Sequence, residues 1–66
     1  MAERLEATHN SMRFVVERDD NVGWYLYVYQ GGQCTRDYLQ DTLEAALDEA
    51  LQLFGVPQSG WSPLPD

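Results

Sequence analysis

The sequence predicts an α+β fold, in which a three-stranded antiparallel sheet carries one amphipathic helix on one face, in the order β-β-β-α. Two patterns predict it. Apolar and polar residues alternate in three segments between positions 12 and 39, and apolar residues then recur at helical spacing up to position 54. The chain has 66 residues, and such a short chain buries only about 60% of the surface that its unfolded form exposes. We therefore expect one domain, over residues 12–66.

Residues 1–11 are polar and weakly patterned, so we expect a flexible N-terminal tail there. Residues 12–18 alternate between two faces and are rich in β-forming side chains, which predicts a first strand. A polar turn over residues 19–23 separates it from a second strand over residues 24–30. Gly31-Gly32 then predicts a two-residue hairpin turn, and residues 33–39 form the third strand.

The helix is predicted over residues 42–54. Asp41 precedes it and Glu44 lies three residues further on, which resembles a capping box. Gly55 is a typical C-cap, and Pro57 prevents the helix from continuing. The predicted apolar stripe consists of Leu43, Ala46, Leu47, Ala50, Leu51 and Phe54. Residues 55–66 are rich in Pro, Gly and Ser, so we expect an irregular C-terminal lid that places Val56, Trp61 and Leu64 over the core.

The hairpin turn sets the expected pairing of strands two and three, because residues opposite each other share a face. One face then carries Trp24, Leu26, Val28, Thr35 and Leu39, with Asp37 as its only charge, and the helix should cover it. The other face should stay uncovered, and we call its predicted binding set the tyrosine face. Its members are Tyr25, Tyr27, Tyr29, Arg36 and Tyr38.

Tyrosine and arginine are the residue types that binding hot spots use. Three interpretations of the tyrosine face remain open at this stage. The aromatic pairs stabilise the sheet without binding anything, or the face binds a second copy of the chain, or it binds a different protein.

A second candidate surface is the outer side of the helix, which we call the acidic helix face: Glu44, Asp48 and Glu49. The helix contains no cationic residue, and the helix N-terminus stabilises Glu44 but not the two later acids. A row of acidic side chains without cations on the same helix is expected to bind a basic partner through opposite charge. The alternative is an ordinary solvated helix face.

The net charge of −7, from 11 acidic and 4 basic residues, bears on the class of partner. Nucleic acids and anionic membranes require clustered cations, so both are disfavoured. A basic protein fits better, unless the charge serves only solubility.

The chain has no apolar run long enough to span a membrane and no signal-peptide pattern, and Cys34 is a lone cysteine, so we expect a reducing cytoplasm. The lack of lysine and isoleucine suggests a GC-rich bacterial or phage genome.

No set of residues for catalysis can be assembled, so we expect a protein that is not an enzyme and has no cofactor or metal. His9 is the only histidine and lies in the predicted tail. Cys34 shares a predicted face with Arg36, but a lone thiol beside a hairpin turn is expected to be structural or incidental. The adjacent acids, such as Asp19 and Asp20, point to opposite faces of a strand and form no dyad.

The segment CTRDYLQDTLEAALDEAL, from Cys34 to Leu51, resembles the signature of HicB-type antitoxins. Asp41, Thr42, Glu44 and Ala46 match the helix start of that family, while Thr35 follows Cys34 directly and the connection to Asp41 is longer. The resemblance implies an acidic domain that blocks a basic toxin by protein contact. The whole pattern is also similar to small bacterial β-β-β-α proteins of no assigned function.

The expected function is therefore that of a small acidic protein-interaction module, such as an antitoxin- or immunity-like inhibitor of a basic protein. The alternative is a homodimeric structural or accessory protein that buries the tyrosine face on itself. Binding of nucleic acid by stacking on the tyrosines is a third, less favoured interpretation.

Overall fold

The computed structural model describes residues 3–65 and shows an antiparallel sheet with one helix on one of its faces. The elements follow in the order β1 (Arg4–His9), β2 (Met12–Asp19), β3 (Gly23–Gln30), β4 (Gln33–Gln40), α1 (Leu43–Phe54), a 3₁₀ turn (Gln58–Gly60) and β5 (Ser62–Pro63). The spatial order of the strands is β4-β3-β2-β1-β5. The predicted α+β class is confirmed, whereas the prediction of three strands is wrong.

The additional long strand is β1, which lies in the segment for which the sequence predicts a flexible tail, so that prediction is wrong for residues 4–9. Arg4–His9 pairs with β2 along its whole length, and Ala7 on this strand is buried. Asn10 and Ser11 connect the two strands with φ angles of 50° and 65°. Positive φ at both central residues is the geometry of a type I′ hairpin turn, which asparagine tolerates well. Of the predicted tail, residues 1–2 lie outside the described residues.

The core lies between the sheet and α1. Phe14 and Val16 of β2 face Val28 and Leu26 of β3, and all four side chains are buried. The ring of Phe54 packs on Phe14, with 5.2 Å between ring centroids. The remaining buried residues of this cluster are Ala7, Ala46, Ala50 and Val56.

The helix begins one residue later than predicted, because Thr42 is its N-cap. The Thr42 Oγ1 accepts a hydrogen bond from the Ala45 backbone N–H at 3.1 Å, which satisfies one free donor of the first turn. Gly55 ends the helix in the left-handed region, as expected, at φ 77°. Leu51 is 37% exposed and does not belong to the buried stripe, since it lies about 100° around the helix from Ala50.

The C-terminal segment is more regular than the predicted lid. Val56 is buried and Trp61 packs against the core, which fits the expectation. Ser62–Pro63, however, pairs with β1, and the Leu64 backbone N–H donates to the carbonyl oxygen of Arg4 at 2.9 Å. The segment therefore extends the sheet at its edge. Residue 66 of the predicted lid lies outside the described part of the chain.

The pairing of β3 with β4 contains a β-bulge, whereas the sequence pattern predicts regular pairing. Next to the Gly31-Gly32 turn, Tyr29 is paired with Cys34 as predicted, but Val28 is paired with Arg36 instead of Thr35. Thr35 is the extra residue, and its Oγ1 donates to the Val28 carbonyl oxygen at 3.3 Å. From this point on, every residue of β4 lies opposite a different partner from the predicted one, and on the other face of the sheet.

Candidate protein-binding face

The helix packs on one side of the sheet, and none of the helices in residues 3–65 covers the other side. We call this uncovered side the open face. Cross-strand pairing places these residues on it: Arg4, Glu6 and Thr8 of β1; Arg13, Val15, Glu17 and Asp19 of β2; Tyr25, Tyr27 and Tyr29 of β3; Cys34, Asp37 and Leu39 of β4.

Two members of the predicted tyrosine face do not lie on the open face. Tyr38 is paired with Leu26 on the helix side, where its ring meets Phe54 edge-on at a centroid distance of 6.4 Å. Arg36 is paired with Val28 on the same side and is exposed. The bulge at Thr35 is the physical reason, because one extra residue reverses the alternation of all later side chains.

The three remaining tyrosines form a row along β3. The rings of Tyr25 and Tyr27 are stacked, with 5.6 Å between centroids and an angle of 18° between planes. Val15, opposite Tyr27, is only 5% exposed although it lies on the open face. The side chains around it therefore already cover apolar surface, as expected for aromatic and β-branched pairs that stabilise a sheet. The tyrosines themselves are only half-buried and keep accessible ring surface.

One end of this row already holds a cation. The Cζ atom of Arg13 lies 5.5 Å from the centroid of the Tyr29 ring. The same guanidinium donates to the Glu6 Oε2 atom, at 2.8 Å from Nη2 and 3.1 Å from Nε. The result is a guanidinium held between a carboxylate and an aromatic ring, an arrangement in which cation–π attraction and ion pairing act together.

The other end of the row has carboxylates but no such cation. Glu17 lies opposite Tyr25 on β2, and Asp37 lies opposite Tyr27 on β4. Arg4 is opposite Glu17 on β1, but its Nη2 atom donates to the Pro65 carbonyl oxygen at 2.9 Å. Neither carboxylate takes part in an ion pair with any residue between 3 and 65. The stacked tyrosines thus lie between two unpaired negative charges.

The ionisation of Tyr27 reflects this environment. Burial raises the pKa of its phenol, and the negative charge of Glu17 raises it further, with smaller effects from Tyr25, Tyr29 and Asp37. A group with this shift holds its proton, so the hydroxyl of Tyr27 remains a neutral hydrogen-bond donor at physiological pH.

We expect the domain to lose stability as the pH rises above the ordinary tyrosine pKa of 10.0. The folded state holds the Tyr27 proton more tightly than the unfolded chain, so this contribution is complete below the unfolded pKa. It is lost as the pH rises through the raised folded pKa. Alkaline titration of tyrosinate absorbance, together with urea unfolding at each pH, measures both effects. Tyr27→Phe should remove the part of the tyrosinate absorbance that titrates above the ordinary pKa. If it instead removed a part that titrates at the ordinary pKa, the expectation would be contradicted.

The structure divides the predicted acidic helix face. Glu44 and Asp48 are exposed, as expected. Glu49 is half-buried and turns toward the sheet, where its Oε1 atom accepts a hydrogen bond from the Gln40 Nε2 atom at 2.8 Å. This hydrogen bond links α1 to the end of β4, so only two of the three acids remain exposed.

The two candidate catalytic side chains, Cys34 and His9, lie on opposite faces of the sheet. Cys34 is exposed on the open face, and its Sγ atom is 3.4 Å from the Arg36 carbonyl oxygen. His9 ends β1 on the helix side, beside Gly55. Within the described residues, no three His, Cys, Asp or Glu side chains converge on a point that could hold a metal ion. The helices in that same part of the chain are all too short or too polar to cross a membrane.

Comparisons with known protein families, with curated proteins and with solved structures return no match to this chain.

Proposed function

We propose that this chain is a non-enzymatic protein-interaction module that binds a basic protein through its open face, in the manner of an antitoxin- or immunity-like inhibitor. One observation carries the proposal. The sheet face opposite α1 presents a row of half-buried tyrosines bordered by the unpaired carboxylates of Glu17 and Asp37. Large amphipathic rings provide contact area at a low cost in side-chain entropy, and they are the most frequent anchors of protein interfaces.

The charge of the chain supports a basic partner. With a net charge of −7, the molecule attracts a positively charged surface from a distance and repels nucleic acids and anionic membranes. Inhibition by occlusion requires only that the bound domain cover the partner's working surface, and it needs no catalytic group on this chain. The resemblance of Asp41, Thr42, Glu44 and Ala46 to the helix start of HicB-type antitoxins points to the same mode of action. A reducing cytoplasm, in which the exposed thiol of Cys34 stays reduced, is compatible with it.

A homodimer that buries the open face is the second candidate, and the exposure of Leu39, at 48%, favours it. A two-fold interface centred on the stacked tyrosines would bring the carboxylates of Glu17 and Asp37 close to those of the second copy. Like charges at an interface are unfavourable when they are desolvated together. The charge pattern therefore favours a different, basic protein over a second copy.

Light scattering distinguishes the two candidates. We expect a molar mass near 7.6 kDa under reducing conditions, for the wild type and for Tyr27→Ser alike. A wild-type dimer that Tyr27→Ser dissociates would assign the open face to self-association and would overturn the proposal.

Binding itself is tested by replacing Tyr27 or Asp48 with a photo-crosslinking amino acid in a bacterial host. We expect an adduct with a basic protein from position 27 and none from position 48. After reconstitution from purified components, Tyr27→Ser should weaken binding by about tenfold or more, as expected for a hot spot. Asp48→Asn, on the helix, should change the dissociation constant by less than about twofold. Equal losses in both variants would place the contact elsewhere.

A further inference from the structure

We propose that the stacked pair of Tyr25 and Tyr27, together with Glu17 and Asp37, is the anchor site for arginine side chains of the partner. The inference rests on the proposed function and specifies which chemical group of the basic protein this face recognises. Its elements are two nearly parallel, half-buried rings and two carboxylates that form no ion pair with any residue between 3 and 65.

The open face itself contains the arrangement that we infer for the partner. Arg13 lies against the ring of Tyr29 and forms its ion pair with Glu6. The neighbouring positions along β3 repeat the ring and the carboxylate, but no guanidinium forms an ion pair there, because Arg4, opposite Glu17, donates to the Pro65 carbonyl oxygen instead. Asp37 is opposite Tyr27, and Glu17 is opposite Tyr25. An arginine from another molecule would complete this second unit with the same two interactions.

The spacing indicates how such arginines are presented. Tyr25 and Tyr27 are two residues apart on one strand, which corresponds to roughly 7 Å along the strand axis. The carboxylates lie on opposite sides of this strand, one beside each ring. Two arginines at alternate positions of an extended segment have the same separation of roughly 7 Å. A segment of the form Arg-x-Arg, lying along β3, would therefore place one guanidinium near each carboxylate.

Arginine fits this site better than lysine. The guanidinium is planar, stacks on aromatic rings, gives two parallel hydrogen bonds to a carboxylate and is more weakly hydrated than an ammonium group. The site should thus discriminate by the shape of the cation as well as by its charge.

The test uses the full-length protein and three capped pentapeptides, Ala-Arg-Ala-Arg-Ala and its lysine and citrulline counterparts. Citrulline keeps the planar shape of arginine without its charge. NMR spectra of the aromatic and backbone groups are followed as each peptide is added up to about 10 mM, a range suited to millimolar affinity. We expect saturable shifts of the Tyr25 and Tyr27 ring signals with the arginine peptide. The lysine peptide should bind about threefold more weakly and the citrulline peptide about tenfold more weakly.

Two double variants remove the same number of charges from different surfaces. Glu17→Gln with Asp37→Asn should weaken binding of the arginine peptide by about tenfold. Glu44→Gln with Asp48→Asn, on the helix, should change it by less than about twofold. The inference is wrong if the citrulline peptide binds equally well, if the shifts occur on α1, or if no shift occurs. If the peptide test fails but position 27 still crosslinks to a basic protein, the proposed function stands and only the arginine site is refuted. If the arginine peptide binds but position 27 gives no crosslink, only the proposed function is overturned.

Discussion

Removal of residues 1–9 is expected to unfold the domain. These residues include β1, which pairs with β2 over its whole length and carries the buried Ala7 and the half-buried Leu5. Their loss would also leave β5 without a partner strand. A domain of this size has a stability of only about 3–5 kcal/mol, and the burial lost with β1 is of the same order. Circular dichroism should show no cooperative thermal transition for the shortened chain.

Two adjacent substitutions test the same point without changing the chain length. Ala7→Asp would bury a charge against Phe14, with an expected cost of about 3 kcal/mol or more. Thr8→Asp places the same charge on the open face, where Thr8 is exposed, and should cost less than about 1 kcal/mol. Equal midpoints of urea unfolding for the two variants would mean that this segment is not a strand of the sheet.

Gly23→Ala is expected to destabilise the domain by roughly 2–5 kcal/mol. Gly23 opens β3 at a φ of 125°, a conformation that residues with a Cβ atom rarely adopt. A Cβ atom there would also overlap the backbone carbonyl oxygen of Gln40, which a side-chain rotation cannot relieve. The free energy of unfolding from urea titration measures the loss.

Gly31→Ala is the matched control for this substitution. Gly31 also has a positive φ, of 59°, but nothing lies within 4 Å of the place where its Cβ would be. Its substitution should therefore cost only the backbone strain, about 1–2 kcal/mol. If the two variants lost equal stability, the contact with Gln40 would not be responsible for the requirement for glycine at position 23.

Much of the fold follows from local patterns. The alternation over β2 and β3, the Gly31-Gly32 turn and the apolar stripe of α1 each predict the observed element, because each contains many residues that agree with one period. β1 was missed because its inward residues include the small Ala7 and the polar His9. Its turn, Asn10-Ser11, contains no glycine, and its pairing with β2 depends on contacts that a local pattern does not contain.

The open face was predicted only in part, and a single residue explains the difference. Regular pairing would bury the charge of Asp37 among core residues and would expose the aromatic ring of Tyr38 to solvent, and both placements are unfavourable. The bulge at Thr35 resolves it, since Asp37 reaches solvent and Tyr38 packs on Phe54. An isolated charge on a predicted core face was therefore a usable signal of a bulge. The stacking of Tyr25 on Tyr27 depends on side-chain positions and could not be deduced from the spacing.

As long as Thr35 is present, the bulge decides which charged side chains of β4 lie on the open face. If the strands paired regularly with Thr35 retained, Arg36 would replace Asp37 opposite Tyr27. The charged residues of the face would then change from two cations and four anions to three cations and three anions, without any substitution. Loss of Thr35, in contrast, would leave Arg36 opposite Val28 and Asp37 opposite Tyr27. A codon deletion at position 35 is thus a length change that preserves the charges of the open face.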